Sequence, residues 1–159
     1  MIVRRLKDIL DTSRDVKAKT WASRRLLLRE DGMGFSMHHT VIYAGTQTHI
    51  WYQHHLEGVY CVEGVGSVEL IPSGETFRIE PGTLYALNKH DEHWLRAETD
   101  LHLICTFNPP LAGTETHDEN GVYQLVPEPA RDEATAAAEK ATVELSLIHI
   151  SEPTRPERI

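Results

Sequence analysis

Hydrophobic and polar residues along this chain come in short runs, rich in β-branched, aromatic and leucine residues and separated by Gly, Pro, Asp and Asn at turn-like intervals. That rhythm predicts strands joined by tight connections rather than helices. The expected strands are "RRLLLR", "GFSMHHTVIYA", "QTHIWY", "GVYCVEG", "GSVELI", "TFRIE", "TLYAL", "EHWLRAE" and "LHLICTFN". In the last of these, Leu101, Leu103 and Cys105 fall on one face and His102, Ile104 and Thr106 on the other, as a period of two requires. Both faces carry apolar residues, which favours a closed barrel or a two-layer sandwich over a lone sheet with one wet face. Turns such as "VEGVGS", "IPSGE" and "EPGT" supply the permissive glycines and fixed prolines that short hairpins need.

The pattern changes at Pro127. Residues 127–144 are rich in Ala, Glu and Pro and nearly free of large apolar side chains, too little buried surface to offset the entropy of ordering. A flexible, disordered tail is expected there, following a single domain over residues 1–126. The string "LSLIHISEPTRP" resembles the translation of a sequencing-library adapter, so residues 145–159 are expected to be adapter-derived and are left out of fold reasoning.

A chain of 159 residues suits one domain and therefore one principal site. The formal charge of −8 and the lack of a basic run longer than "RR" argue against a nucleic-acid partner. No apolar stretch approaches the roughly 20 residues of a membrane span. "MIVRRLKDIL" has neither a long apolar core nor a small-residue cleavage site, so a cytoplasmic location is expected. Cys61 and Cys105 both lie in apolar strand-like runs, which suits reduced, buried thiols.

Candidate chemistry concentrates between residues 49 and 93. Two stretches resemble the paired motifs of the cupin superfamily, small β-barrels whose mouth often holds a metal. In the first, Glu57 and Gly64 keep the spacing from carboxylate to glycine, while Trp51 and Gln53, or Ile50 and Tyr52, stand where a histidine pair would be. In the second, Tyr85 lies three positions after Gly82, at the histidine position, and His93 follows on the next strand. A Glu, a Tyr and a His form an oxygen-rich set with one imidazole, which suits iron(II) or another divalent first-row metal better than a closed thiolate zinc site. Equally open is a plain structural role, with Glu57 and Tyr85 hydrogen-bonded inside a barrel and His93 a satisfied strand histidine.

Longer strings, "MIVRRLKDIL", "DVKAKTWASRRLLLREDGMGFSMHHT", "IYAGTQTHI", "YQHHLEGVYCVEG", "IEPGTLYALNKHDEHWLRA" and "FNPPLAGTETHDENGVYQL", resemble the ectoine synthase family across residues 1–125. The resemblance implies an all-β, cupin-type, jelly-roll-like barrel with short helical pieces, assembled as a cytoplasmic homodimer. It implies a hydro-lyase that closes N4-acetyl-L-2,4-diaminobutyrate into ectoine with loss of water, using an Fe(II)-type ion on Glu57, Tyr85 and His93. Trp21, Arg24, Thr40, Tyr52, Cys105 and Phe107 match positions near the bound substrate. Glu115 and His117, two residues apart on an extended segment, are the expected proton-transfer groups, with Tyr52 beside them. His55 is a candidate to stand behind a metal ligand, whereas His49 and His54 are expected to serve structure or solvent. Viewed without the resemblance, Trp21 reads as core, Arg24 or Arg25 as surface charge, and Glu115 and His117 as solvated loop. His39, Trp51 and His54 depart from the family string. An iron-dependent cupin dioxygenase and a non-catalytic small-molecule-binding cupin are the competing readings.

Overall fold

The computed structural model describes residues 1–127, and within them Met1–Val126 forms one compact unit. The tail expected over residues 127–144 and the adapter-derived segment over residues 145–159 lie outside the described residues, Pro127 excepted. Ten strands follow in chain order: β1 (Asp15–Lys17), β2 (Trp21–Leu27), β3 (Ser36–Ile42), β4 (Gln47–Ile50), β5 (Leu56–Glu63), β6 (Gly66–Leu70), β7 (Thr76–Ile79), β8 (Leu84–Leu87), β9 (His93–Ala97) and β10 (Leu101–Asn108). The helical pieces among the described residues are single 3-10 turns at Leu6–Asp8 and Arg29–Asp31.

All nine expected runs contain a strand. β1 was not anticipated, because "DVK" offers one apolar residue and no visible alternation. It pairs with β2 at Asp15↔Arg24 and Lys17↔Ala22.

The strands make a cupin-type barrel from two antiparallel sheets, one of order β1-β2-β3-β10-β5-β8 and one of order β4-β9-β6-β7. Register decides what faces the interior. Trp21, Ser23 and Arg25 stand opposite Ile42, Thr40 and His38; His38 and Thr40 stand opposite Cys105 and Leu103; and Cys105 and Phe107 stand opposite Val59 and Glu57. Because side chains alternate faces along a strand, one inward row on each strand produces a continuous inner surface. Leu101, Leu103 and Cys105 belong to it and are buried, while His102, Ile104 and Thr106 are partly exposed on the outer face. The second sheet closes the barrel with Ile50, Val68, Ile79 and Leu95, all in the same buried cluster.

Two turn positions fix the frame. A Cβ on Gly64, whose φ is +94°, would sit 2.0 Å from the Asp100 carbonyl oxygen, so both the left-handed backbone and the lack of a side chain are required. One on Gly121 would sit 2.5 Å from the His49 carbonyl oxygen, which lets the segment after β10 lie against β4. Both cysteines are free and buried. Among the described residues no helix is long and apolar enough to cross a membrane.

Candidate active site

The inward rows leave a small cavity lined by Trp21, His38, Thr40, Ile42, Ile50, Tyr52, Glu57, Tyr85, Leu95, Leu103, Cys105, Phe107, His117 and Tyr123. One side is aromatic. The Tyr52 ring meets Phe107 edge-on at 5.2 Å and tilts against Tyr123 at 4.8 Å. His117 stacks on Tyr123 at 4.5 Å and receives the Trp21 ring at 5.2 Å. Within this cluster the Tyr52 hydroxyl lies 2.8 Å from His117 Nε2. Burial raises the Tyr52 phenol well above its ordinary range, so it keeps its proton. Burial also pushes the His117 imidazole down to about 4, leaving it neutral, and Tyr52 also hydrogen-bonds Tyr123.

The adjoining part of the lining is polar and desolvated. Glu57 on β5 and Tyr85 on β8 are diagonal neighbours on one face, since Glu57 pairs with Leu87 and Tyr85 with Val59. Burial pushes the Glu57 carboxyl up to about 8, opposed by a hydrogen bond from Cys105, so near neutral pH it is largely uncharged unless a cation balances it. Tyr85 is raised by burial and then by the nearby Glu57 charge. The Cys105 thiol bonds to both Glu57 and Thr40.

His93 reaches this region from β9 in the second sheet, its ring 6.5 Å from that of Tyr85. Its Nδ1 lies 2.9 Å from the Asp91 carbonyl oxygen. A carbonyl only accepts, so Nδ1 carries the proton and Nε2 the lone pair. That Nε2 is buried and has no hydrogen-bond partner. The ring near Tyr85 is thus an imidazole oriented by a backbone carbonyl, with a buried, orphaned lone pair on its other nitrogen. Among the described residues no three side chains of the His, Cys, Asp and Glu types gather around a common point. A cation here would therefore depend on the Tyr85 phenol.

The remaining candidates are placed less uniformly. Trp21, Thr40, Tyr52, Cys105, Phe107 and His117 line the cavity. Arg24 does not: its Nε is 3.2 Å from Asp15 Oδ1, on the outer face. Glu115 is buried, yet its carboxylate accepts the backbone N–H groups of Ala112 at 2.6 Å and Gly113 at 2.8 Å, with Arg25 Nη1 at 3.6 Å. It is absent from the cavity lining. The solvated-loop reading of Glu115 is corrected, because this buried carboxylate fixes the loop after β10. The surface-charge reading is corrected for Arg25, whose side chain is fully enclosed and donates from Nη2 to the Glu115 carbonyl oxygen. His55 is buried near Phe107 and Tyr123, His49 pairs with Glu92 at 2.9 Å, and His54 is exposed.

Three residues escaped the sequence reading. Tyr123 and His38 line the cavity, and Arg25 sits just behind His38. Inward parity with Ser23 and Trp21 was the available signal for Arg25; Tyr123 lies in an irregular segment and offered none. Burial, then the Arg25 charge, pushes His38 down to about 3, while Ser23 Oγ sits 3.2 Å from its Nδ1.

A family model described as ectoine synthase matches residues 1–127. An L-ectoine synthase of Desulfatibacillum aliphaticivorans is 62% identical over 128 residues, covering 79% of this chain and 98% of that protein. One from Halalkalibacterium halodurans is 58% identical over 126 residues, with coverage of 79% and 98%. The crystal structure of ectoine synthase from P. lautus superposes with a TM-score of 0.72 at 53% identity, covering 83% of this chain and 96% of that one. The polyketide cyclase RemF from Streptomyces resistomycificus, at 17% identity and a TM-score of 0.58 over 76% and 90% of the two chains, shares the fold alone. With its matched region spanning the entire barrel and almost the full length of these relatives, the chain belongs to the ectoine synthase family.

Proposed function

We propose that this cavity folds N4-acetyl-L-2,4-diaminobutyrate and closes it to ectoine with loss of water, the hydro-lyase reaction of the family. The observation that carries this is the meeting, in one small cavity, of a neutral Tyr52–His117 hydrogen bond with the desolvated Glu57 and Tyr85 groups. Ring closure joins the substrate's α-amine to its own acetamide carbon. The carbonyl oxygen then leaves with two protons as water, and the product is a cyclic amidine.

A flexible substrate must be held with nucleophile and carbonyl near contact distance, and an aromatic box of this size restricts it to folded conformers. Trp21 and Phe107 wall the aliphatic stem. His117 is neutral across the physiological range because burial depresses it, so as the Tyr52 hydroxyl takes the proton the amine loses it can pass its own to His117 Nε2, and the same pair run in reverse can return one towards the departing oxygen. Thr40 and Cys105 hold the Glu57 side chain in place.

Glu57, Tyr85 and His93 would hold a divalent first-row cation, Fe(II) in our reading, and when bound it supplies Lewis-acid polarisation of an amide carbonyl. Arg24 and Glu115 act from outside the cavity in this arrangement: Arg24 through its pair with Asp15, Glu115 by positioning the loop that carries His117.

We also assign the working form to a homodimer. β5 turns Leu56, Tyr60 and Val62 outward, and the edge strand β8 adds Leu84, which is 69% exposed; a second copy packed on this sheet would cover them. Two buried free thiols suit the reducing cytoplasm.

The test is an anaerobic assay of the purified protein with N4-acetyl-L-2,4-diaminobutyrate, with and without added iron(II), following ectoine by chromatography. Iron-dependent ectoine is expected. Folded, iron-loaded protein that forms no ectoine would overturn the reading, and oxygen uptake in a parallel aerobic assay would point to the dioxygenase instead.

A further inference from the structure

A second group of histidines lies on the outer face of the large sheet, away from the cavity. His39 on β3 and His102 on β10 are diagonal neighbours, since His39 pairs with Ile104 and His102 with Val41. Their ring centres are 5.4 Å apart and the planes are inclined by 47°. Nδ1 of His39 is buried with no hydrogen-bond partner. Two imidazoles placed in contact without a carboxylate between them gain little from each other, and both become cationic only against mutual repulsion.

We propose that His39 and His102 form a two-imidazole site for a divalent transition-metal ion such as Zn²⁺, with water completing the coordination. With metal–nitrogen bonds of about 2.0–2.1 Å, two imidazoles meeting at a tetrahedral angle place their ring centres about 5 Å apart, close to the spacing seen. Diagonal cross-strand neighbours on a sheet face hold that spacing without any loop having to order. Arg24, the nearby cation, pairs with Asp15 at 3.2 Å, which offsets part of its charge. Burial, then His102 and Arg24, hold His39 below its ordinary range, which keeps it a competent neutral ligand near neutral pH. An ion bridging β3 and β10 would bind the folded chain and not the unfolded one, and so would stabilise it.

The experiment uses chelator-stripped full-length protein in a Glu57→Ala background, which removes one donor of the interior site and so separates the two. Zn²⁺ binding is measured by equilibrium dialysis and by the Zn²⁺-induced rise in melting temperature. The parent should bind one equivalent and show the rise; His39→Gln and His102→Gln should each weaken binding at least tenfold and abolish the rise. In Cu²⁺ paramagnetic resonance spectra, the coupling from two nitrogens should fall to one or none in either variant. Binding unchanged in both variants, or lost in only one, would overturn the site.

Discussion

The Tyr52 hydroxyl and His117 Nε2 are 2.8 Å apart, although Tyr52 precedes β5 and His117 follows β10. The contact joins two segments that line the cavity, and burial holds the phenol protonated and the imidazole neutral. Replacing Tyr52 by Phe keeps the ring that packs on Phe107 and Tyr123 and removes only the hydroxyl. If this hydroxyl takes part in proton transfer, Tyr52→Phe should lower kcat by about 10²–10⁴, the usual worth of a positioned acid or base. The stability cost should stay near 1–3 kcal/mol, for leaving Nε2 unpaired. Steady-state kinetics beside urea unfolding separates the two; unchanged kcat would remove Tyr52 from the chemistry.

The buried imidazoles set an acid limit on the fold. His38 is held down to about 3, below the ordinary unfolded value of about 6.5. Below pH 6.5 the unfolded chain gains a proton that folded His38 refuses. Its contribution is therefore complete above pH 6.5 and is lost as pH falls towards 3, at about 1.4 kcal/mol per pH unit. His117 acts in the same direction down to about 4. Melting temperature should drop from pH 6.5 to 4, and His38→Asn should flatten that slope. An equally steep slope in the variant would mean that other groups carry the acid sensitivity.

Strand positions were legible because each run alternates around a buried row, as Leu101, Leu103 and Cys105 do on β10. The pairing between strands was not, and it decides the site. His49, His54, His55 and His93 are alike in sequence, yet His93, carried on β9 between β4 and β6 in the second sheet, has a buried unpartnered Nε2 and a ring near Tyr85. Arg25 reads as surface because it stands as a charge beside Arg24, while its parity with Ser23 sends it inside. Glu115 reads from the resemblance as a proton-transfer group, but the groups it serves are the backbone of its own loop and an arginine 90 residues away. Sequence spacing carries no trace of that link.

Glu115 and Arg25 have fully enclosed side chains, 1% and 0% exposed. Removing one member of such a pair leaves a buried charge and two unpaired N–H groups, so Glu115→Ala should cost about 3–5 kcal/mol. Glu115→Gln, which still accepts from Ala112 or Gly113, should cost less and keep most of kcat at low temperature. Denaturant unfolding and kinetics on the same samples test this. A Gln variant of full stability with kcat reduced a hundredfold would move Glu115 from positioning to proton transfer.

Gly64, the closing residue of the first cupin-like motif, should tolerate no side chain. Alanine there faces a left-handed backbone and a 2.0 Å approach to the Asp100 carbonyl oxygen. The expected loss is at least about 2 kcal/mol, visible as a lower urea midpoint. Gly74, with φ +71° but open space around it, provides the control: Gly74→Ala carries the backbone strain alone and should lose measurably less. Equal losses at the two positions would show that the clash relaxes freely.

The proposed interior cation site would depend on a phenol, and that dependence is testable without activity. Glu57→Ala and His93→Ala each remove one of the three donors, and Tyr85→Phe removes another while keeping the ring in place. All three should reduce bound iron from near one equivalent to below a tenth. Only Glu57→Ala also removes a carboxyl that burial holds up to about 8. Such a group stabilises the cation-free fold below its unfolded value and loses that contribution as pH rises through 8. Cation-free Glu57→Ala should therefore lose less stability between pH 7 and 9 than the parent does, whereas Tyr85→Phe should follow the parent, its phenol being protonated in folded and unfolded chains alike across that range. Iron retained in Tyr85→Phe would leave the site with two protein donors and remove the tyrosine from it.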